Sequence, residues 1–317
     1  MPINVPIKIG PLKESDLPEA DRIMRLAFGT FLGIPDPMNF MGDRNFMAPR
    51  FHAKHVKALA ARLDDRLIGL NVATRWGSFG FFGPLVVLPE FWDKGVAQRL
   101  LAPTVKLFDR WGLRYSGLFT FAHSAKHVGL YQKFGYWPCC LTAVMTRIPE
   151  ASAAQANPPT LLSALPRAPR EQAIAACAKL TNRIDKGLDL TAEIRAVLAQ
   201  RTGDIVLTHT RGGLDAFAIC LCGPGSEGGM KTCYIKFGAA RGGAGAGDRF
   251  DRLLDACDAF ASSRGVPLEA GVNLAREDAF RRMRTHGYRP MTQGVAMLRP
   301  NIPGFNRPDV YVIDDWR

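Results

Sequence analysis

Apolar residues dominate 56–62 and again 67–74, broken in the interior only by Lys57 and Asn71, on either side of the polar Asp64-Asp65-Arg66. Two such runs around a short acidic turn predict a hairpin of two strands. Upstream, residues 7–9 read as a first strand. Ile23, Met24, Ala27 and Phe28 then recur at helical spacing behind a Ser15 or Asp16 cap. Downstream comes an apolar run, 79–88, a short turn containing Gly95, and an amphipathic helix to about Trp111. A strand over 115–121, a helix ending near Gly135 and a closing stretch from about 139 to 147 complete the block. Strands interleaved with helices in this way predict an α/β (α+β) mixed sheet, mostly antiparallel and flanked by helices.

Residues 149–169 interrupt the pattern. Ala, Ser, Gln and Pro dominate there, with Pro158, Pro159, Pro166 and Pro169, and the composition reads as a linker. Beyond it the plan repeats. Helices are predicted near 172–179 and 192–200, and strands at 205–208, 216–222 and 232–237. A glycine-rich turn over 241–247, a helix over 248–262, a strand at 268–272 and a helix over 276–285 follow, leading to Gly287-Tyr288. Gly287-Tyr288 aligns with Gly135-Tyr136, so that Met283 stands where the first block has Tyr131. The organisation expected is a first domain over 1–148, a linker over 149–169, a degenerate second domain over 170–299 and a tail over 300–317. The tail carries Val310, Val312, Ile313 and Trp316, and it is expected to pack as an extended segment across the domain boundary.

Candidate chemistry concentrates where the apolar strand meets the helix. A helix that begins at a strand end aims its orphan N–H groups and its positive dipole end at whatever binds there, which suits a phosphate. Val87-Leu88-Pro89 followed by Gly95-Val96-Ala97 resembles the acetyl-CoA loop of the GNAT superfamily of N-acetyltransferases, with Trp92 where that family usually has Gln or Arg. Downstream, Leu130-Tyr131-Gln132-Lys133-Phe134-Gly135-Tyr136 resembles a second signature of the same family, in the expected order and spacing. The whole chain resembles tandem GNAT proteins with a degenerate C-terminal domain.

The resemblance implies direct transfer of an acetyl group from acetyl-CoA to a primary amine of a small-molecule or peptide acceptor. It implies that Leu85, Val86 and Val87 pair with the pantetheine arm and offer a donor to the thioester carbonyl. Lys94, Gly95, Val96, Ala97 and Gln98 would hold the pyrophosphate, and Ser124 stands where the family often has an Asn on the pantetheine. Tyr131 matches the position that protonates the departing thiolate. The general base is not written in the chain, since the 79–88 strand has no Glu. His123, just past the 115–121 strand, is the candidate, because a histidine there has a suitable pKa. Phe28, Phe31, Met38, Phe40, Met41, Phe46, Met47 and Phe51, with Phe79, Phe81 and Phe82, point to an acceptor with an apolar body. In the second block, Met283 cannot donate a proton, and that half reads as structural.

Composition adds limits. The net charge is +12, and the first 148 residues hold 19 Lys and Arg against 11 Asp and Glu. The basic residues are scattered, so steering of an anionic cofactor explains them better than nucleic acid, which is not expected as a partner. No apolar run reaches the length of a membrane span, and no secretory signal is read. Seven cysteines without a CxxC pair suit reduced thiols, a cytoplasmic location and no metal site. A non-catalytic acyl-CoA-binding or regulatory module is the alternative, on the strength of Trp92, Ser124 and the missing glutamate.

Overall fold

The hairpin turn at Asp64 and Asp65 forms as its pattern predicts. Strand β2 (Val56–Leu63) pairs antiparallel with β3 (Arg66–Trp76), and both aspartates take positive φ, 46° and 65°. That is the two-residue turn whose twist matches the strands, and Asp is among the few residues that tolerate it. The computed structural model describes residues 6–150, 159–210 and 212–317. In the first half β1 (Lys8–Pro11), α1 (Leu17–Phe31) and α2 (Met47–His52) precede the hairpin. After it come β4 (Phe79–Val87), α3 (Val96–Arg110), β5 (Tyr115–Thr120), α4 (Ala125–Gln132) and β6 (Trp137–Arg147).

The second half repeats this order. It runs β7 (Thr160–Leu161), α5 (Arg167–Ile184), α6 (Thr191–Gln200), β8 (Gly203–Thr210), β9 (Gly213–Leu221) and β10 (Cys233–Ala240). Then come α7 (Ala246–Ser262), β11 (Leu268–Asn273), α8 (Glu277–Thr285), β12 (Arg289–Arg299) and a short tail strand, β13 (Val312–Ile313). Corresponding glycines keep their conformations. Gly95 and Gly245 cap α3 and α7 at φ 77° and 72°, and Gly135 and Gly287 follow α4 and α8 at φ 81° and 84°. Helix α5 begins inside the stretch that reads as linker. Residues 160–169 are a strand, a turn and a helix start, because Pro at early helical positions favours a helix rather than ending it. Residues 151–158, the rest of that proline-rich stretch, lie outside the described residues.

Among the described residues the strands form a single 13-stranded mixed sheet in the order β1-β2-β3-β4-β5-β12-β6-β11-β10-β9-β8-β7, with β13 beside β10. Exchanging the halves leaves that order unchanged. Each half lends its last strand to the other: β12 pairs with β5 from Val295↔Thr120 to Arg299↔Ser116, and β6 pairs with β11 from Leu268↔Arg147 to Asn273↔Thr142. The α/β class and the duplication stand, but the two expected sheets are fused at the antiparallel pair β12–β6.

The core follows the seam. Trp76, Phe79, Phe81 and Tyr115 of the first half pack with Phe217, Phe237 and Leu298 of the second and with Phe305 and Trp316 of the tail. Buried charges cross it too. Arg50 pairs with Glu227 at 2.7 Å, Lys236 bridges Glu227 and Glu193, and His55 reaches Glu193 at 2.9 Å. Removing one member of such a pair strands a buried charge, which costs about 3–5 kcal/mol.

Glu269 ties three parts together through Arg44 of the first half and Arg317 of the tail, each at 2.9 Å. Burial opposes its ionisation, but the hydrogen bond from Arg44 and the two guanidinium charges outweigh it and hold the carboxyl at about 2 instead of 4.5. A carboxyl held down stabilises the fold above its ordinary pKa and gives that up as pH falls through the lowered one. Glu269 is therefore expected to contribute up to about 3 kcal/mol at neutral pH. Urea unfolding of Glu269→Gln against the parent should show that gap at pH 7 and its closure towards about pH 2. A constant gap across the range would contradict the assignment.

Candidate active site

Strand β4 pairs with β5 only over Phe79↔Tyr115, Gly80↔Ser116 and Phe81↔Gly117. The β3–β4 register then shifts between Asn71↔Leu85 and Ala73↔Phe82, leaving Gly83 and Pro84 as a bulge. A bulge bends its strand, and β4 diverges from β5, which β12 holds on its other side. The gap is a cavity of about 850 Å³ with Leu85, Val86 and Val87 on one wall and Phe119, Thr120 and Phe121 on the other. Among the described residues no strand pairs with β4 along that edge past Phe81, so alternate backbone N–H and C=O groups face the gap.

The N-terminus of α3 closes one end. Its cap, Gly95, has φ 77° and no side chain to occupy the first-turn donors, and the first turn holds no acidic residue. A Cβ placed on Gly95 would meet no atom within 4 Å, and Gly95, Val96, Ala97 and Gln98 all line the cavity. Trp92, where Gln or Arg was the family's usual choice, donates its indole N–H to the Val87 carbonyl at 2.8 Å and staples the turn to the end of β4.

Helix α4 forms the opposite wall with Leu130, Tyr131 and His127. Tyr131 packs on Phe82 with ring centroids 5.7 Å apart. Burial pushes its phenol up to about 12, with a Thr120 side-chain hydrogen bond pulling the other way.

Three expected residues are not in the wall. Lys94 turns its ammonium onto the Glu90 carbonyl at 2.7 Å and the Phe91 ring. Ser124 spends its hydroxyl capping α4, accepting the His127 N–H at 3.4 Å. His123 is exposed and stacks on Phe31 with centroids 6.0 Å apart. In its place His127 lines the cavity, half-buried and 4.9 Å from the Phe31 ring. Burial first, then the charges of Lys126 and His123, hold its imidazole below the usual pKa. Its signal was present in the chain: His127 and Tyr131 are four residues apart and so share a face of one helix. Arg50, Trp316 and Arg317 also reach the cavity, with no local signal to announce them.

Of the apolar cluster, Phe28, Phe31, Phe40, Met41, Phe46 and Phe82 line the cavity. Met47, Phe51, Phe79 and Phe81 pack in the cores instead, and Met38 is exposed. Among the described residues no group of three His, Cys, Asp or Glu side chains is placed to hold a metal ion, and no helix is long and apolar enough to cross a membrane.

Residues 22–136, which hold this cavity's strands and loop, match the acetyltransferase (GNAT) family model. No curated protein matches the chain. Among solved structures, a candidate acetyltransferase from Pyrococcus horikoshii superposes with a TM-score of 0.69 at 14% identity, over 98% of this chain and 95% of that one. A GCN5-related N-acetyltransferase from Sphaerobacter thermophilus gives 0.59 at 16% identity, over 93% and 96%. A tandem GNAT protein from the clavulanic acid biosynthesis pathway gives 0.56 at 12% identity, over 92% and 98%. At such identities the superpositions speak for the fold, and together with the family match they give the conclusion: residues 22–136 match the acetyltransferase (GNAT) family, and the chain has the fold of tandem GNAT proteins.

Proposed function

We propose that the chain transfers an acetyl group from acetyl-CoA directly to a primary amine of an acceptor with an apolar body, small molecule or peptide. One observation carries this reading: the open edge of β4 runs straight into an uncapped helix N-terminus. An extended, amide-bearing arm adds to such an edge as a strand does, while phosphates meet the N–H groups of residues 96–98. Bound there, coenzyme A would supply the activated acyl thioester.

The chain's own groups would do the rest. A backbone N–H of residues 85–87 faces the thioester oxygen and stabilises the charge that develops on it. The aromatic walls hold the acceptor amine and exclude water. His127, neutral because its pKa is lowered, takes a proton from the acceptor's ammonium on a ring nitrogen. The amine attacks the carbonyl carbon, the C–S bond breaks, and the thiolate, held by a hydrogen bond from Tyr131, takes up the proton that the new amide nitrogen gives up. A phenol at about 12 gives up its proton reluctantly to a thiolate near 8.5, so Tyr131 is a hydrogen-bond donor first and an acid second.

Thiol release from acetyl-CoA over a panel of apolar amines tests the reading. The rate is expected to fall on the acid side, below the ordinary histidine range, and His127→Gln should lose that limb and about 10²-fold in kcat. Coenzyme A binding with no thiol release from any amine would leave a non-catalytic acyl-CoA-binding module. An unaltered pH profile in His127→Gln would remove its role as base.

A further inference from the structure

The second half has the same diverging pair of strands, and its gap is full. Strands β10 and β11 pair in parallel only over Cys233–Ile235 and Leu268–Ala270, and β10 then bulges between Ile235 and Phe237. Into the gap runs the tail. Strand β13 pairs antiparallel with β10 at Gly238↔Ile313 and Ala239↔Val312. The Ala240 N–H donates to the Tyr311 carbonyl at 3.0 Å, and across the gap the Asp314 N–H donates to the Gly271 carbonyl of β11 at 2.9 Å. Arg276, wholly buried, donates to the Val312 carbonyl at 2.7 Å and to the Asp314 carboxylate at 2.6 Å. At the end of the slot the Arg249 guanidinium donates to the carbonyls of Arg241 and Gly242, and covers the glycine-rich turn before α7.

From there the tail crosses the seam. Trp316 takes φ 56°, a strained value for a tryptophan, and its indole N–H is held by Asp314 at 2.7 Å. Its ring packs on Phe79 at 5.0 Å and over Gly117, where a Cβ would stand 2.9 Å from it. Its backbone carbonyl lies 3.7 Å from where a Cβ on Gly83 would stand, and the residue forms part of the first half's cavity wall at that bulge. Along β4 the cavity runs from the phosphate end at α3, past Val87 and Leu85, to this bulge. Trp316 therefore stands beyond the thioester, about 13 Å of strand from Val87.

We propose that residues 311–315 are the standing occupant of the second half's slot, and that the strand so anchored holds Trp316 as the residue limiting the acyl length that the first half's cavity admits. The second part rests on the acyl-CoA reading above.

Two measurements on the intact chain separate the parts. In hydrogen exchange of the free protein, the Ala240 and Asp314 amides should be as protected as those of β6 and β12, and coenzyme A should not change them. Rapid exchange there overturns the occupancy, whatever the chain binds. Affinity is then measured for acetyl-, butanoyl-, hexanoyl- and octanoyl-CoA. The parent should lose about tenfold or more between acetyl and hexanoyl. Trp316→Ala should flatten that profile, and Trp316→Phe should restore most of it. A folded Trp316→Ala with the parent's profile, or a parent with no length preference, overturns the limiting role. A parent that binds no acyl-CoA overturns the earlier reading and the length limit with it, but leaves the exchange result standing.

Discussion

Gly95→Glu is expected to weaken coenzyme A binding by about 10²–10³-fold, while Gly245→Glu leaves it unchanged. Both glycines cap a helix with φ near 75°, so both substitutions carry the same backbone strain, about 1–2 kcal/mol. The difference lies in what each side chain meets. At Gly95 the space is open and belongs to the cavity, so the new carboxylate enters the place proposed above for the phosphates, at the uncapped α3 terminus. Two like charges a few ångströms apart near a protein surface repel by about 4 kcal/mol. At Gly245 a Cβ stands 3.6 Å from the Arg249 guanidinium, which can pair with the added carboxylate. Equal losses in the two variants would show that strain, and not phosphate binding, is being measured.

Tyr131→Phe is expected to lower kcat about 10²-fold, the usual effect of deleting one donor to a developing anion, with coenzyme A affinity unchanged. The ring's packing on Phe82 survives, and only the hydroxyl is lost. The Thr120 side chain loses its partner at the cavity surface, where a water can take its place. Because the phenol is held near 12, the loss should be constant from pH 6 to pH 9. A rate loss that disappears above pH 8 would mean that the phenol titrates there and that its surroundings are more polar than this cavity.

What could be read from the chain was local. The Asp64-Asp65 turn, the run from β4 through Gly95 into α3, and the Tyr131 helix each rest on periodicity and turn chemistry within about twenty residues. Strand exchange could not be read that way. The apolar run Val295–Leu298 of β12 is satisfied equally by its own half and by β5, and its partners Ser116–Thr120 lie far away in sequence. The same holds for the tail. Val310 and Trp316 announced that it would be buried, but only the sheet's near-symmetry reveals that it fills the counterpart of the open slot. The His123 expectation missed for a smaller reason. It was placed from the end of β5, whereas the face of α4 decides which histidine enters the cavity, and α4 begins at Ala125. The position of Ser124 suits a helix cap as well as a ligand contact, and the cap is what forms.

The central claim is that one slot is open and the other filled. Calorimetric titration of the intact chain with coenzyme A, with amide exchange recorded before and after, tests it most directly. The account predicts one molecule bound per chain and slowed exchange at residues 85–87 and 96–98. Two molecules per chain, or slowed exchange at residues 238–247 instead, would contradict it.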